Sequence, residues 1–126
     1  MKKILIVDDE KKIRKIYNGL LTGEGFEVIE RSNAMEASET LVREKVDLVL
    51  LDIKMPEVDG SILYEVMQLF HKRVKVIVTS VYPLDEQKHL IAGASDYYDK
   101  SQGIDMLISK INKVLENGQV EEKKND

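Results

Sequence analysis

No cysteine occurs in the 126 residues. Disulfides, thiolate zinc sites and a thiol nucleophile are therefore excluded. Long apolar runs are also missing. The longest, Ile4 to Val7 and Leu48 to Leu51, fall far short of the roughly 20 residues needed to cross a bilayer. Met1-Lys2-Lys3 is basic, but no apolar h-region or cleavage site follows it, so no signal peptide is read and a cytoplasmic location is expected. There is no basic stripe either. The net charge is −4 and the basic residues are scattered, so direct binding of nucleic acid is not expected. What remains is 43% hydrophobic and 33% charged, the composition of one ordinary globular domain with a core of its own.

Short apolar runs alternate with amphipathic stretches. Lys3 to Val7 reads as a strand that ends at Asp8-Asp9. A helix from Glu10 to about Thr22 follows, with Ile13, Ile16, Tyr17, Leu20 and Leu21 on one face and Gly23 and Gly25 at its end. Phe26 to Arg31 is a second strand. Asn33 and Glu36 are spaced as a capping pair for a helix to about Glu44, whose buried face would be Ala34, Ala37, Leu41 and Val42. Val46 to Leu51 is nearly all apolar, as a central parallel strand covered on both faces should be, and it ends at Asp52. Pro56, Asp59 and Gly60 mark a loop before a helix from Ser61 to about His71. Val74 to Val78 is the fourth strand, ending at Thr79-Ser80. A short polar helix spans Leu84 to about Ala92. Asp96 to Asp99 is the fifth strand, ending at Lys100. Ile104, Leu107, Ile108, Ile111, Val114 and Leu115 stripe the last helix. Five βα units imply an α/β fold: a flavodoxin-like three-layer sandwich around a five-stranded parallel sheet of order 2-1-3-4-5. Residues 1–117 would form the domain and 118–126 a polar tail or linker stub.

Open α/β sheets bind ligands beyond the carboxyl ends of their strands. That rule collects Asp8, Asp9, Asp52, Thr79, Ser80 and Lys100 at one rim. Three carboxylates there would repel one another, and a hard cation such as Mg²⁺, which prefers a few carboxylates and waters, would relieve this. Asp9 and Asp52 would bind it directly, Asp8 through water, and Lys54 through its backbone carbonyl. A carboxylate is also a nucleophile that can form an acyl phosphate. Asp52 would attack, while Lys100 and Thr79 would cover phosphoryl oxygens. Taken singly each residue has a plainer role: the acidic pair as a helix N-terminus, Thr79 as a backbone-bonded strand end, Lys100 as a solvated charge. Their convergence at four strand ends carries the chemical reading.

These residues resemble the response-regulator receivers of two-component signalling. Val7-Asp8-Asp9-Glu10, Asp52-Ile53-Lys54-Met55-Pro56 with Asp59-Gly60, Val78-Thr79-Ser80, and Ala92-Gly93-Ala94 leading to Asp96-Tyr97-Tyr98-Asp99-Lys100 are similar to the family's motifs, over about Lys3 to Leu115. The resemblance implies that Asp52 is phosphorylated, that Asp8 and Asp9 hold Mg²⁺, that Thr79 and Tyr97 form the switch, and that Lys100 clamps charge. Lys54 and Val81 fall at the positions that tune phosphoryl lifetime. Neither offers a carboxylate or amide to position water, so slow self-hydrolysis is expected. Ser101 stands where the family commonly has proline, and Asp99 where an apolar residue is commoner. The implied partners are a sensor histidine kinase or a histidine phosphotransferase and a downstream effector protein, with the chain itself a monomer or weak homodimer. It would be a stand-alone receiver of the chemotaxis-messenger or phosphorelay-intermediate kind, or a receiver cut from a transcriptional regulator.

Three other classes were weighed. A flavin mononucleotide binder shares the fold, but Asp8-Asp9 would repel phosphate where that site needs a hydroxyl- and glycine-rich loop. An aspartate-nucleophile phosphatase would want an acid where Lys54 stands. A phosphorylation-independent interaction module of receiver shape would not need the complete acidic, hydroxyl and lysine set. His71 and His89 read as solvated surface residues.

Overall fold

Side-chain alternation along the strands decides the layers. In β1 (Lys3–Val7), Leu5 and Val7 join one buried core while Ile4 and Ile6 join another. In β3 (Leu48–Asp52), Val49 and Leu51 belong to the first core, Leu48 and Leu50 to the second. Every residue of β3 is buried, as expected of a strand covered on both faces. The structure is a computed structural model that describes the backbone of residues 1–124 and the side chains of residues 1–116.

The elements follow as β1, α1 (Lys11–Gly23), β2 (Glu27–Arg31), α2 (Ala34–Arg43), β3, α3 (Gly60–Phe70), β4 (Lys75–Ser80), α4 (Leu84–Leu90), β5 (Asp96–Asp99) and α5 (Ile104–Lys124). All strand pairs are parallel and their order is β2-β1-β3-β4-β5, the expected doubly wound sheet. The first core holds Ala34, Ala37 and Leu41 of α2, Leu63 and Met67 of α3 and Ile91 after α4. The second holds Tyr17 and Leu21 of α1 and Leu107, Ile111 and Val114 of α5.

Three expectations about helix faces need correction. Ile16 is 47% exposed and Leu20 37% exposed, so the contact of α1 narrows to Tyr17 and Leu21, with Ile13 packed at its margin. A single helix against a sheet buries a stripe little wider than about 100°, and five apolar residues overfill it. Val42 is 75% exposed because Leu41, one residue earlier, already takes the inward direction. Thr40 fills the adjacent buried place: its hydroxyl donates to the Glu36 carbonyl at 2.9 Å and accepts from Arg31 Nε at 2.9 Å. α4 is shorter than its sequence implied. Ile91 leaves helical backbone, and Gly93 follows with φ 85°, a left-handed turn that suits glycine.

The Asn33 cap is as expected, its side chain accepting from the Glu36 amide at 2.9 Å. α5 runs through Lys124, past the division expected between 117 and 118. The side chains beyond 116 and residues 125–126 lie outside the described residues, so that division stands as an expectation. Among the described residues no helix is long and apolar enough to cross a membrane.

Leu50→Ala tests the assignment of the two cores. Truncating this buried central residue should cost about 2–5 kcal/mol in urea unfolding, whereas Val42→Ala should stay within about 0.5 kcal/mol. Similar costs for the two would contradict the faces described.

Candidate functional site

The second core continues into the site. Asp8 stands two residues after Ile6, Asp52 two after Leu50, Thr79 two after Ile77 and Lys100 two after Tyr98, and all four of those apolar residues belong to the core beneath α1 and α5. The period-2 alternation that buries the strands thus carries an acid, an acid, a hydroxyl and an amine to one side of one rim. Register completes the placement. Asp52 is the Cα partner of Thr79, and Ser80 of Asp99, while the Lys100 amide donates to the Ser80 carbonyl at 2.8 Å.

Asp8 is 1% exposed, whereas Asp9 is exposed. Asp8 Oδ1 accepts from the Glu10 amide at 2.9 Å, which turns the chain into α1. Asp8 Oδ2 receives no well-directed hydrogen bond but lies 2.8 Å from Lys100 Nζ. The same ammonium is 3.6 Å from Asp52 Oδ1. One carboxylate oxygen from each of Asp8, Asp9 and Asp52 lies within 4.8 Å of the others.

Charge at this cluster is unbalanced. Burial pushes the Asp52 carboxyl up to about 7, and the nearby Asp8 and Asp9 carboxylates add to the push against the opposing pull of Lys100. Burial disfavours the Lys100 ammonium, but Asp8 and Asp52 outweigh it and hold its pKa above the ordinary lysine value. One cation thus faces three acids. An oxygen set of this kind fits a hard divalent ion such as Mg²⁺. Lys54 and Val81 line the same cleft as Asp9, Asp52, Ser80 and Lys100.

Gly60, which the sequence marks only as part of a loop, is the first residue of α3. Its amide donates to the Ile53 carbonyl at 2.7 Å, and a Cβ built on it would fall 2.1 Å from the Asp52 carbonyl oxygen. Only glycine lets α3 start this close to the backbone of Asp52. The loop between them holds Glu57 at φ 68°, a left-handed conformation that costs a residue with a side chain roughly 1–2 kcal/mol.

The two departures from the receiver pattern turn out to be partners. Asp99 Oδ1 accepts from the Ser101 amide at 2.9 Å and from its hydroxyl at 2.8 Å. Those bonds hold the Asp99 carboxyl below its usual range. Asp99 therefore closes a tight turn after β5 and pairs with no cation among the described residues. Tyr97 is buried, its hydroxyl donating to the Ile91 carbonyl at 2.6 Å and accepting from the Ala94 amide at 3.2 Å. His89 is exposed on α4 and His71 caps α3 at the opposite pole, beside Phe70 and Arg73.

This fold and rim define a class, and the chain belongs to it: residues 4–112 match the response regulator receiver domain family. Over 117 residues it is 33% identical to sporulation initiation phosphotransferase F of Bacillus subtilis, covering 90% of this chain and 93% of that protein. It is 34% identical to the chemotaxis protein CheY of the same organism over 118 residues, covering 90% and 97%. Among solved structures, response regulator TrrA of Thermotoga maritima, in complex with Mg²⁺–BeF, superposes with a TM-score of 0.84 at 33% identity, covering 90% of this chain and 99% of that one. Other matched relatives are longer, the chain spanning 47% or 50% of them.

The raised pKa of Asp52 makes a signed prediction. A carboxyl bound more tightly to its proton when folded loses stability as pH rises from the unfolded value of 3.8 to about 7, and the loss is complete above that. In chelator-treated samples Asp52→Asn should therefore be more stable than wild type at pH 8, by on the order of 3 kcal/mol, with the gap closing toward pH 4. A pH-independent gap in urea titrations would show that Asp52 is not strained by burial.

Proposed function

We propose that the chain works as a phosphoacceptor in two-component signalling. Asp52 would take a phosphoryl group from a sensor histidine kinase or a histidine phosphotransferase, and the change would be passed to an effector protein. The observation that carries this reading is the Asp52 carboxylate at the strand rim, 3.6 Å from Lys100 Nζ and clustered with Asp8 and Asp9.

An Asp52 carboxylate oxygen attacks phosphorus, the phosphorus–nitrogen bond of the donor phosphohistidine breaks, and its electron pair returns to the imidazole, which takes up a proton. The Lys100 ammonium neutralises a phosphoryl oxygen and the Thr79 hydroxyl donates to another, so catalysis is positioning and charge compensation. Asp9 and Asp52 would hold Mg²⁺ directly, with Asp8 through water and Lys54 through its carbonyl. Bound there, the ion supplies neutralisation that one lysine cannot. The Mg²⁺–BeF complex of TrrA supports that choice of metal. Asp8, already beside Lys100, keeps the ammonium aimed into the cleft.

Signal transfer would follow from local charge. Thr79 moving toward the new phosphoryl group and Tyr97 turning with it would bias a two-state surface of α4, β5 and α5. Tyr97 in this structure faces inward, bonded to Ile91 and Ala94. We take residues 1–117 as the receiver unit, monomeric or weakly dimeric.

Incubation with acetyl phosphate followed by intact mass measurement tests the reading. One phosphoryl adduct is expected, dependent on Mg²⁺ and absent in Asp52→Asn. An adduct that persists in Asp52→Asn would place the acceptor elsewhere. No adduct together with no Mg²⁺ binding would favour a phosphorylation-independent interaction module.

The lifetime of the adduct is a separate prediction. Lys54 and Val81 flank the cleft and neither orients water for attack. The acyl phosphate should last minutes or longer with Mg²⁺ present, and Lys54→Asn should shorten it by roughly tenfold through a new water-positioning amide. Decay of the wild-type adduct within seconds contradicts this.

A further inference from the structure

A glutamine fully enclosed in a hydrophobic setting is unusual, because every buried polar atom then needs a partner. Gln87 of α4 is 0% exposed. Its Nε2 donates to the Tyr82 carbonyl at 2.8 Å and to the Tyr98 carbonyl at 3.1 Å. Both partners are acceptors, so the amide cannot be turned over, and Oε1 is left buried without a donor. A methionine would fill similar space without that orphaned oxygen. The carboxamide thus carries one orphaned oxygen in exchange for two donors to backbone carbonyls. What it provides is two N–H groups aimed at two carbonyls on different segments.

Those carbonyls lie on two segments that adjoin the site. The Tyr82 amide donates to Ser80 Oγ at 3.1 Å, Ser80 directly follows Thr79, and the Ser80 carbonyl accepts from the Lys100 amide at 2.8 Å. Tyr98 is two residues before Lys100. The bonds close a ring: Gln87 to Tyr82, Tyr82 to Ser80, Ser80 to Lys100, and back along the chain through Tyr98 to Gln87. Lys100 is a member of this ring and Thr79 directly precedes its Ser80.

We infer that Gln87 is a positioning residue for the phosphoryl chemistry, its carboxamide fixing the ends of β4 and β5 so that the Thr79 hydroxyl and the Lys100 ammonium are held at a set separation. This rests on the reading of Asp52 as phosphoacceptor. Gln87 touches neither Asp52 nor a phosphoryl group, and it acts through the backbone of the loop after β4 and of β5. Small displacements of charge-stabilising groups slow a reaction strongly when catalysis consists of positioning.

The test compares the full chain with Gln87→Met and with Leu84→Ala, a change in apolar packing on the same short helix. Three quantities are read: melting temperature, Mg²⁺ affinity of the unphosphorylated protein, and the rate of adduct formation with saturating acetyl phosphate. Gln87→Met should stay folded at the assay temperature, keep its Mg²⁺ affinity within about twofold, and form the adduct about tenfold more slowly. Leu84→Ala should melt lower, with a rate within about twofold of wild type. Should Gln87→Met unfold at the assay temperature, Gln87→Asn gives the same comparison, as a carboxamide one methylene short of the two carbonyls. A wild-type rate in the folded Gln87 variant overturns the inference alone, as does equal slowing by Leu84→Ala. Absence of any adduct on the wild-type chain overturns the functional reading, and this inference with it.

Discussion

The contact between the Lys100 ammonium and the buried Asp8 carboxylate, 2.8 Å apart, is the interaction on which the rim depends. Asp8 follows the first strand, Lys100 follows the fifth, and the third strand delivers Asp52 between them. Without a cation the three acids would repel the strand ends apart. With one, two acids are partly compensated and the remaining excess of negative charge is left at the exposed side, beside Asp9. The arrangement compensates part of its own charge and leaves an excess that would suit a bound cation. A site fully neutralised by its own side chains would have little use for one.

The same contact links folding to chemistry. Burial is what makes Asp52 costly to ionise, and burial also raises the strength of every charge interaction around it. A carboxylate in water would be easier to ionise, and neighbouring charges would act on it more weakly. The receiver solution is to keep Asp52 at the last position of a strand buried along its whole length, where water is scarce but the cleft remains open on one side.

Much of this was legible from sequence, because the determining signals are periodic. The alternation in Ile4-Leu5-Ile6-Val7 and Leu48-Val49-Leu50-Leu51 set the sheet faces, and continuing it by one step gives the faces of Asp8 and Asp52. The strand order and the assembly of Asp8, Asp9, Asp52, Thr79 and Lys100 at one rim followed from topology. The breadth of a helix contact did not, since Ile16, Leu20 and Val42 satisfy the apolar period but lie beyond the stripe that each helix buries. Gly60 and Gln87 were missed for another reason. A glycine after Asp59 looks like any turn, and a glutamine in a polar helix looks solvated. Their roles are set by backbone atoms far away in sequence, Asp52 for one and Tyr82 and Tyr98 for the other. The mutual bonding of Asp99 and Ser101 was similarly hidden, although two departures so close together are a signal that could have been read as a pair.

The packing of Gly60 against the carbonyl of Asp52 has a mechanical meaning. With no atom to spare between helix and strand, the backbone of the third strand is an anvil behind the Asp52 side chain. On the far side, α4 has only two turns and the left-handed Gly93 lies just beyond it. If Asp52 is the phosphoacceptor proposed above, strain generated there would pass toward the fourth and fifth strands. The two flanks of a single aspartate are thus built differently, one closed by direct contact and the other ending in a short helix.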